Sequence, residues 1–241
     1  MRSRRYVLLD EIGCGATGRV HLARDRAAGR YVAVKVLHPG NGPATSVVDH
    51  PHVLPHQVAD GLVVMPLVRG GSLLDLCVQE GRLPEAFVAV LLGQLLEALE
   101  AVHAAGVVHR DVKPANLLLE ATGPGRPHLW LTDFGDENTL GTAGYLAPEL
   151  QMGAEMGAEM RAEEGAEPCA GQDVYAAGVV ARRLLDRPGP LVTLADSMCR
   201  SDPALRPTAA QALARLRQLP VPRAGHWPVV PDRLGPLLHR R

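Results

Sequence analysis

The eight residues His109–Asn116, HRDVKPAN, decide the fold that this chain is expected to adopt. Of its 25 lysines and arginines, only Lys35 and Lys113 are lysines, and this stretch contains one of them. An ammonium group is a compact point charge, whereas a guanidinium is a planar fork, so the two are not interchangeable beside a phosphate. The sequence therefore predicts two positions that need a lysine in a chain that otherwise uses arginine.

The side chains of this stretch suit phosphoryl transfer in the presence of a divalent cation. Asp111 can orient an attacking hydroxyl group and accept its proton, and Lys113 can neutralise charge on the transferred group. Asn116 offers an amide oxygen, and Mg²⁺ prefers hard oxygen ligands together with phosphate. The alternative is an exposed turn after a helix, where Asp, Lys, Pro and Asn are common.

A glycine-rich segment and a lysine precede this stretch in the chain. Gly13, Gly15 and Gly18 lie in GCGATGRV, between two predicted strands, and glycine is common in the chain with 25 residues. The pattern alone is weak, but its place between two strands favours a flap over phosphates rather than a dinucleotide fold. Lys35 follows in the strand VAVK, as a phosphate ligand or as a snorkelling edge residue.

A second acidic group follows across a predicted hairpin. Asp133 opens the sequence DFG, seventeen residues after Asn116, and the hairpin would bring it back beside that amide. The segment GTAGYLAPEL then supplies Thr142, Tyr145 and Glu149.

The length of the chain suits one domain, or one domain built of two lobes. The chain has 241 residues, of which 46% are hydrophobic, and its formal net charge of -1 gives no sign of nucleic-acid binding. The four cysteines form no CxxC pair, which fits a reduced compartment and no metal–thiolate site. The apolar run at the N-terminus is too short for a signal peptide, and no membrane segment is predicted. We therefore expect a cytoplasmic location.

The period of the apolar residues predicts strands first and helices afterwards. The predicted strands are YVLLDEIG, RVHLARD and RYVAVKVL within residues 6–37, pieces of HVLPHQVA and GLVVMPLV, and two short strands in LLLEATGPGRPHLWLTD. The predicted helices are residues 85–105, CAGQDVYAAGVVARRLLD and PTAAQALARLRQL.

Taken in order, these motifs resemble the bacterial Ser/Thr protein kinases. The glycine-rich loop, VAVK, HRDVKPAN, DFG, APE, DVYAAG and the arginine of DPALRP run from about Tyr6 to Leu219. The resemblance implies an α+β, bilobal protein-kinase-like fold, with an antiparallel β-sheet N-lobe and a mainly helical C-lobe. It places the N-lobe with its hinge at residues 1–68 and the C-lobe at 69–219, and leaves 220–241 as a loose Pro/Arg-rich tail.

The same resemblance implies a role for each matching residue. Asp111 would be the catalytic base, Lys113 would contact the γ-phosphate of ATP, and Lys35 would hold the α- and β-phosphates. Asn116 and Asp133 would bind Mg²⁺ or Mn²⁺. The remaining nucleotide contacts would be Gly13, Gly15, Gly18, Val20, Ala33, Met65 as gatekeeper, Val68 in the hinge, and Leu118. Structural roles would fall to Thr142 beside Asp111, to Glu149 paired with Arg206, and to Asp173 as anchor of the catalytic loop.

The chain departs from the family in two places. No glutamate occurs between Glu11 and Glu80, so the helix whose glutamate pairs with Lys35 is expected to be reduced or absent. Asp136 or Glu137, just after DFG, is a hypothetical substitute. After Leu185 the chain reaches Arg206 quickly, so the helix that docks substrates is expected to be missing. Apolar surface left by two lost helices is open to self-association.

Three functions remain open from the sequence. The first is an ATP-dependent Ser/Thr protein kinase that modifies a protein hydroxyl, with autophosphorylation at Thr139, whose phosphate Arg110 could receive. The alternative is a nucleotide-binding pseudokinase that acts as a regulatory or interaction module. A small-molecule phosphotransferase of kinase-like fold is the third, and the DFG, APE and DVYAAG pattern speaks against it.

Overall fold

A computed structural model describes residues 5–15, 17–42, 48–135, 139, 141–155, 169–220 and 226–239, with the side chains of 152–155 outside the description. The chain forms two compact units. The first unit consists of Met1–Asp49 and Leu54–Val68, and the second of His50–Val53 and Arg69–Arg241.

The first unit is an antiparallel sheet of five strands in the order β1-β2-β3-β5-β4. One face carries the core of the unit, because alternate residues of neighbouring strands point to the same side. Its buried members are Tyr6, Ala23, Val32, Val34, Leu62 and Val64. The strands are β1 (Tyr6–Gly15), β2 (Gly18–Asp25), β3 (Arg30–Leu37), β4 (Gln57–Ala59) and β5 (Leu62–Met65).

Gly18 is required where β2 approaches the end of β3. A Cβ atom at this position would lie 2.4 Å from the carbonyl oxygen of Val36, a distance that no side chain tolerates. Around Gly15, by contrast, nothing would lie within 4 Å of such an atom. Gly18 of the predicted phosphate flap is therefore required by the packing of the sheet, whereas the position of Gly15 has room for a side chain.

The connection from β3 to β4 has no helix among residues 38–42 and 48–56, and residues 43–47 lie outside the description. This agrees with the expected reduction of the helix after Lys35. His50–Val53 belong to the second unit, where Val53 forms a parallel bridge with Leu131.

The second unit is built mainly of helices around one long helix. α2 (Glu85–Ala104) buries eleven of its twenty residues, and its apolar positions contact two later helices. The remaining elements are α1 (Leu73–Glu80), the hairpin β6 (Leu117–Leu119) and β7 (Leu129–Leu131), α3 (Pro148–Glu155), α4 (Ala170–Leu184), α5 (Pro190–Met198), α6 (Ala209–Leu216) and α7 (Gly235–Leu238). The α+β fold class is as expected.

Within the described residues, α2 is the one helix long and apolar enough to cross a membrane by length and composition. This is weak evidence for a span, since the core helix of a soluble protein passes the same test and this helix is mostly buried.

Helix α5 was missed by the sequence analysis. Its buried residues Leu191, Leu194, Ala195 and Met198 follow the helical period, so the signal was present. Residues 185–189 connect α4 to α5 directly, which leaves no room for a further helix between them. The sequence analysis expected a helix to be missing between Leu185 and Arg206, whereas the structure has α5 in that interval.

Residues 226–239 pack against the rest of the second unit, whereas the sequence analysis expected 220–241 to be loose. Val230 is fully buried, and its backbone N–H and C=O groups bond to Gly123 at 2.9 and 3.0 Å. The ring of Trp227 lies 5.7 Å from the ring of Phe87. The proline and arginine content suggested a mobile end, but these partners lie over a hundred residues earlier in the chain, where local composition gives no sign of them.

The C-terminal segment also contacts Arg69 and Gly70, the first residues of the longer part of the second unit. The backbone N–H of Arg233 donates to the carbonyl oxygen of Arg69 at 2.9 Å, and its Nε donates to that of Gly70 at 3.2 Å. The guanidinium of Arg69 pairs with the carboxylate of Asp232. A Cβ on Gly70 would lie 2.6 Å from Val230 and 2.4 Å from the carbonyl oxygen of Leu119, so the chain is packed on both sides there.

Val230→Ala should lower the free energy of unfolding by about 2 kcal/mol, because it removes two methyl groups from a filled site. Val229→Ala is the matched control, since Val229 is 47% exposed and its truncation should change stability by less than about 0.5 kcal/mol. Urea unfolding of both variants measures the difference. Equal stabilities would mean that the C-terminal segment contributes nothing to the fold.

Candidate active site

The loop that carries Asp111 is fixed by a buried carboxylate. Asp173, in the first turn of α4, is 1% exposed, and its two oxygens accept the backbone N–H groups of His109 and Arg110, both at 2.8 Å. A carboxylate near a helix N-terminus is stabilised by the helix dipole. Arg110 has φ +68, a conformation that costs about 1 kcal/mol or more for a residue with a side chain. The predicted anchoring role of Asp173 is confirmed by these contacts.

His109 links this loop to the DFG segment. Its Nδ1 accepts the N–H of Asp111 at 3.2 Å, so Nε2 carries the proton and donates to the carbonyl oxygen of Thr132 at 3.0 Å. The ring lies 4.5 Å from that of Phe134, and complete burial lowers the pKa of His109, which favours the neutral form. The sequence analysis assigned no role to this histidine.

Three other predicted residues contact the carboxylate of Asp111. Its Oδ1 accepts the hydroxyl of Thr142 at 2.7 Å, and its Oδ2 lies 2.6 Å from the Nζ of Lys113. Lys113 also donates to the Thr142 hydroxyl at 2.7 Å. Asn116 donates from Nδ2 to the backbone oxygen of Asp111 at 2.8 Å and to Oδ2 at 3.1 Å. The carboxylate is thus held in one orientation by three neighbours.

The hairpin of β6 and β7 brings Asp133 back towards Asn116. Leu117 pairs with Leu131 at the end of the hairpin, and the N–H of Thr132 donates to the carbonyl oxygen of Asn116 at 3.0 Å. Asp133 is the next residue and has φ +59. Because the Asn116 nitrogen faces Asp111, its amide oxygen remains for a cation, and with the Asp133 carboxylate it offers the hard oxygen donors that Mg²⁺ requires.

In the first unit, the strand register places the predicted nucleotide contacts of the sheet on one face. Val20 lies opposite Lys35, and Ala33 lies opposite Met65. Since residues opposite each other in antiparallel strands share a face, as do alternate residues of one strand, all four side chains point to the same side. Lys35 is 7% exposed, so the residue as a whole is buried.

The other predicted nucleotide contacts belong to several elements of the two units. Gly13 and Gly15 end β1, Gly18 begins β2, and Val68 follows β5 in the first unit. Leu118 belongs to β6 of the second unit, opposite Trp130.

The segment after DFG is described only in part. Thr139 lies against Gly135, where a Cβ atom would be 2.7 Å from the Thr139 side chain. Asp136 and Glu137, the hypothetical partners of Lys35, lie outside the described residues.

The predicted pair of Glu149 and Arg206 is confirmed and is unusually complete. Nη1 and Nη2 of Arg206 donate to the two oxygens of Glu149, each at 2.7 Å. The remaining N–H groups donate to the backbone oxygens of Arg200, Gly171 and Ser201, so all five donors of the guanidinium are satisfied. The side chain is 1% exposed, and only an arginine can make this set of bonds.

Arg206→Lys should reduce the free energy of unfolding by about 2–4 kcal/mol, because an ammonium group has three donors and leaves buried acceptors unpaired. Arg217→Lys is the control. Arg217 also pairs with a carboxylate, that of Glu97 at 2.9 Å, but its side chain is 65% exposed. The control should change stability by less than about 0.5 kcal/mol in urea unfolding. Equal effects would contradict the structural role of Arg206.

The stability of the chain should fall as the pH decreases below about 6.5, the ordinary pKa of histidine. Burial is the largest cause that lowers the pKa of His52, His109 and His128, so the folded state binds fewer protons than the unfolded state in this range. Each such group contributes up to about 1.4 kcal/mol per pH unit until its folded pKa is reached.

Urea unfolding between pH 7.5 and 5.5 measures this slope. His128→Gln should flatten it, and His226→Gln, at an exposed position, should not. A stability that stays constant over this range would show that the three imidazoles titrate equally in both states.

The chain matches the family described as Protein kinase domain over residues 6–192. It is 30% identical over 232 residues to the serine/threonine-protein kinase PknA of Corynebacterium glutamicum, which covers 85% of this chain and 49% of the relative. It is 33% identical over 213 residues to the serine/threonine-protein kinase PknA of Mycobacterium tuberculosis, with 74% and 46% covered. The chain thus spans about half the length of the curated relatives it matches.

The fold is similar to that of the solved structure of Rad53 1-466 in complex with AMP-PNP. The TM-score is 0.71 at 23% identity, and the match covers 88% of this chain and 65% of that one. With the family match over most of its length, the chain belongs to the protein kinase family.

Proposed function

We propose that this chain is a serine/threonine protein kinase that transfers the γ-phosphate of ATP to a hydroxyl group of a protein. The observation that carries the proposal is the orientation of the Asp111 carboxylate by Thr142, Lys113 and Asn116, on a loop held by Asp173. The matches to bacterial serine/threonine kinases support the same activity.

Each residue of this network has a distinct task in the proposed reaction. Asp111 orients the acceptor hydroxyl and takes its proton as the new bond forms. Lys113, beside that carboxylate, offsets negative charge on the transferred group. Thr142 donates to Asp111 and so keeps one carboxylate oxygen turned in a single direction. The energetic contribution of these residues is mainly positioning and electrostatic stabilisation.

ATP with Mg²⁺ or Mn²⁺ is the proposed cofactor set. The divalent cation would neutralise phosphate charge, and the amide oxygen of Asn116 and the carboxylate of Asp133 are suited to hold it. Lys35 would bind the α- and β-phosphates from its strand, with Val20, Ala33 and Met65 on the same face beside the base. The AMP-PNP in the Rad53 structure supports a nucleotide of this class.

The second candidate function is that of a pseudokinase that binds nucleotide without transferring phosphate. The sequence favours it, because no glutamate occurs between Glu11 and Glu80, where the family has the glutamate that pairs with this lysine. Against it stands the presence of Lys35, Asp111, Lys113, Asn116 and Asp133 together. Asp136 or Glu137 is the proposed substitute for the missing carboxylate.

Some wider features also belong to the proposal. The partner would be a protein with a serine or threonine acceptor, the location cytoplasmic, and autophosphorylation would fall on Thr139. No nucleic-acid partner is proposed, because the formal net charge of -1 gives no indication of one. Self-association is also proposed, because the sequence predicts apolar surface left by lost helices.

Asp111→Asn should lower transfer of radiolabelled phosphate to a generic protein substrate by a factor of about 10²–10⁴, because it removes the proposed base. Asp202→Asn is the control, since this exposed carboxylate caps a turn in a different part of the second unit. Mass spectrometry of the wild-type reaction tests whether Thr139 gains phosphate.

Two results of this experiment would contradict the proposed kinase activity or the role of Asp111. Wild-type protein that incorporates no phosphate, yet is stabilised by nucleotide against heat, would favour the pseudokinase. Equal transfer by wild type and Asp111→Asn would remove Asp111 from the mechanism.

A further inference from the structure

Arg183 connects the last turn of α4 to the segment that presents Thr142. Its guanidinium lies over the ring of Tyr145, with Cζ 4.5 Å from the ring centroid. Its Nη2 donates to the carbonyl oxygen of Gly144 at 3.0 Å. Stacking on an aromatic face and a hydrogen bond together fix the plane of a side chain that would otherwise be mobile.

This contact lies close to the proposed base. Gly144 is two residues from Thr142, so their Cα atoms are at most about 7.6 Å apart. The Thr142 hydroxyl in turn contacts Asp111 at 2.7 Å. Gly144 has φ +84, and a Cβ atom there would lie 2.9 Å from Arg183 Nη2, so the guanidinium lies directly against the backbone of this segment.

The charge of Arg183 is not neutralised within the described part of the chain. The neighbouring arginine, Arg182, pairs with Asp196 at 2.6 Å. Asp186, close by in sequence, lies 3.6 Å from the Nε of Arg82. Among the described residues, no carboxylate forms an ion pair with Arg183, whose side chain is exposed. A fixed positive charge therefore faces solvent beside the substrate-facing segment.

We propose that Arg183 selects protein substrates that carry an acidic residue a few positions from the phosphorylated hydroxyl. This deepens the proposed function and rests on it. An extended chain advances about 3.3–3.6 Å per residue, so a carboxylate some two to four residues from the acceptor can reach the guanidinium. A planar guanidinium that is held by stacking offers its remaining N–H groups as a fork to such a carboxylate.

Peptides with one serine acceptor measure this preference. Aspartate or lysine replaces alanine at each of the four positions on either side of the serine, and kcat/KM is compared. An exposed ion pair should raise kcat/KM about two- to fivefold for aspartate at one of these positions. Arg183→Glu should reverse the preference to lysine at that same position, and Arg183→Lys should keep its sign.

Two controls separate recognition from structure. Arg182→Gln removes an adjacent charge that is already paired and should leave the peptide preference unchanged, whereas Arg183→Gln should abolish it. The KM for ATP should stay the same in all variants, since a change in peptide preference alone is the mark of a recognition residue. Arg183→Gln also serves if Arg183→Glu does not fold.

Fluorescence anisotropy of a labelled acidic peptide measures peptide binding without phosphate transfer. It therefore tests recognition by Arg183 separately from the proposed kinase activity. If the wild type transfers no phosphate but binds the acidic peptide more tightly than its lysine counterpart, and Arg183→Glu loses this difference, the proposed function fails and the recognition stands. Equal preference for acidic and basic peptides in the wild type, or a preference unchanged in Arg183→Glu, would overturn the inference.

Discussion

The carboxylate of Asp173 is the constraint on which the rest of the site depends. It holds two consecutive backbone N–H groups of the loop, and one of these residues, Arg110, has a left-handed conformation that a free chain would leave. With the loop in this shape, His109 accepts a hydrogen bond from the backbone N–H of Asp111 at Nδ1 and donates one from Nε2 to the carbonyl oxygen of Thr132. A single buried carboxylate in α4 thus fixes the position of one segment relative to the other, and both carry the proposed chemistry.

Much of this arrangement could be predicted because it is written in local sequence. The hairpin spacing between Asn116 and Asp133 placed them correctly, and the alternation in the N-terminal half gave the strands. What could not be predicted depends on contacts between distant parts of the chain. The sequence around Val230 gives no sign that this residue pairs with Gly123. The sequence around Arg183 likewise gives no sign that its guanidinium stacks on the ring of Tyr145. Helix α5 is a different case, since its period was visible in the sequence.

The described residues of the first unit contain no helix, so the direction of Lys35 there depends on the sheet. Lys35 is largely buried, and Val20 and Val63 lie opposite it on either side. These two neighbours of Lys35 belong to paired strands and have fixed positions. The sheet itself therefore limits the direction of the Lys35 side chain. Gly18 supports this by allowing β2 to approach Val36 closely. A rigid strand position is therefore compatible with loss of the helix that usually aims such a lysine.

The C-terminal segment also affects what the tryptophan fluorescence of the chain reports. The chain has two tryptophans, Trp130 and Trp227, and both lie in the second unit. Trp130 lies in β7 and donates its indole N–H to Glu120 at 2.7 Å, whereas Trp227 belongs to the C-terminal segment and lies against Phe87. The first unit therefore contains no source of tryptophan fluorescence. If Trp130 is replaced by phenylalanine, the remaining emission becomes a direct optical signal for whether the end of the chain is attached.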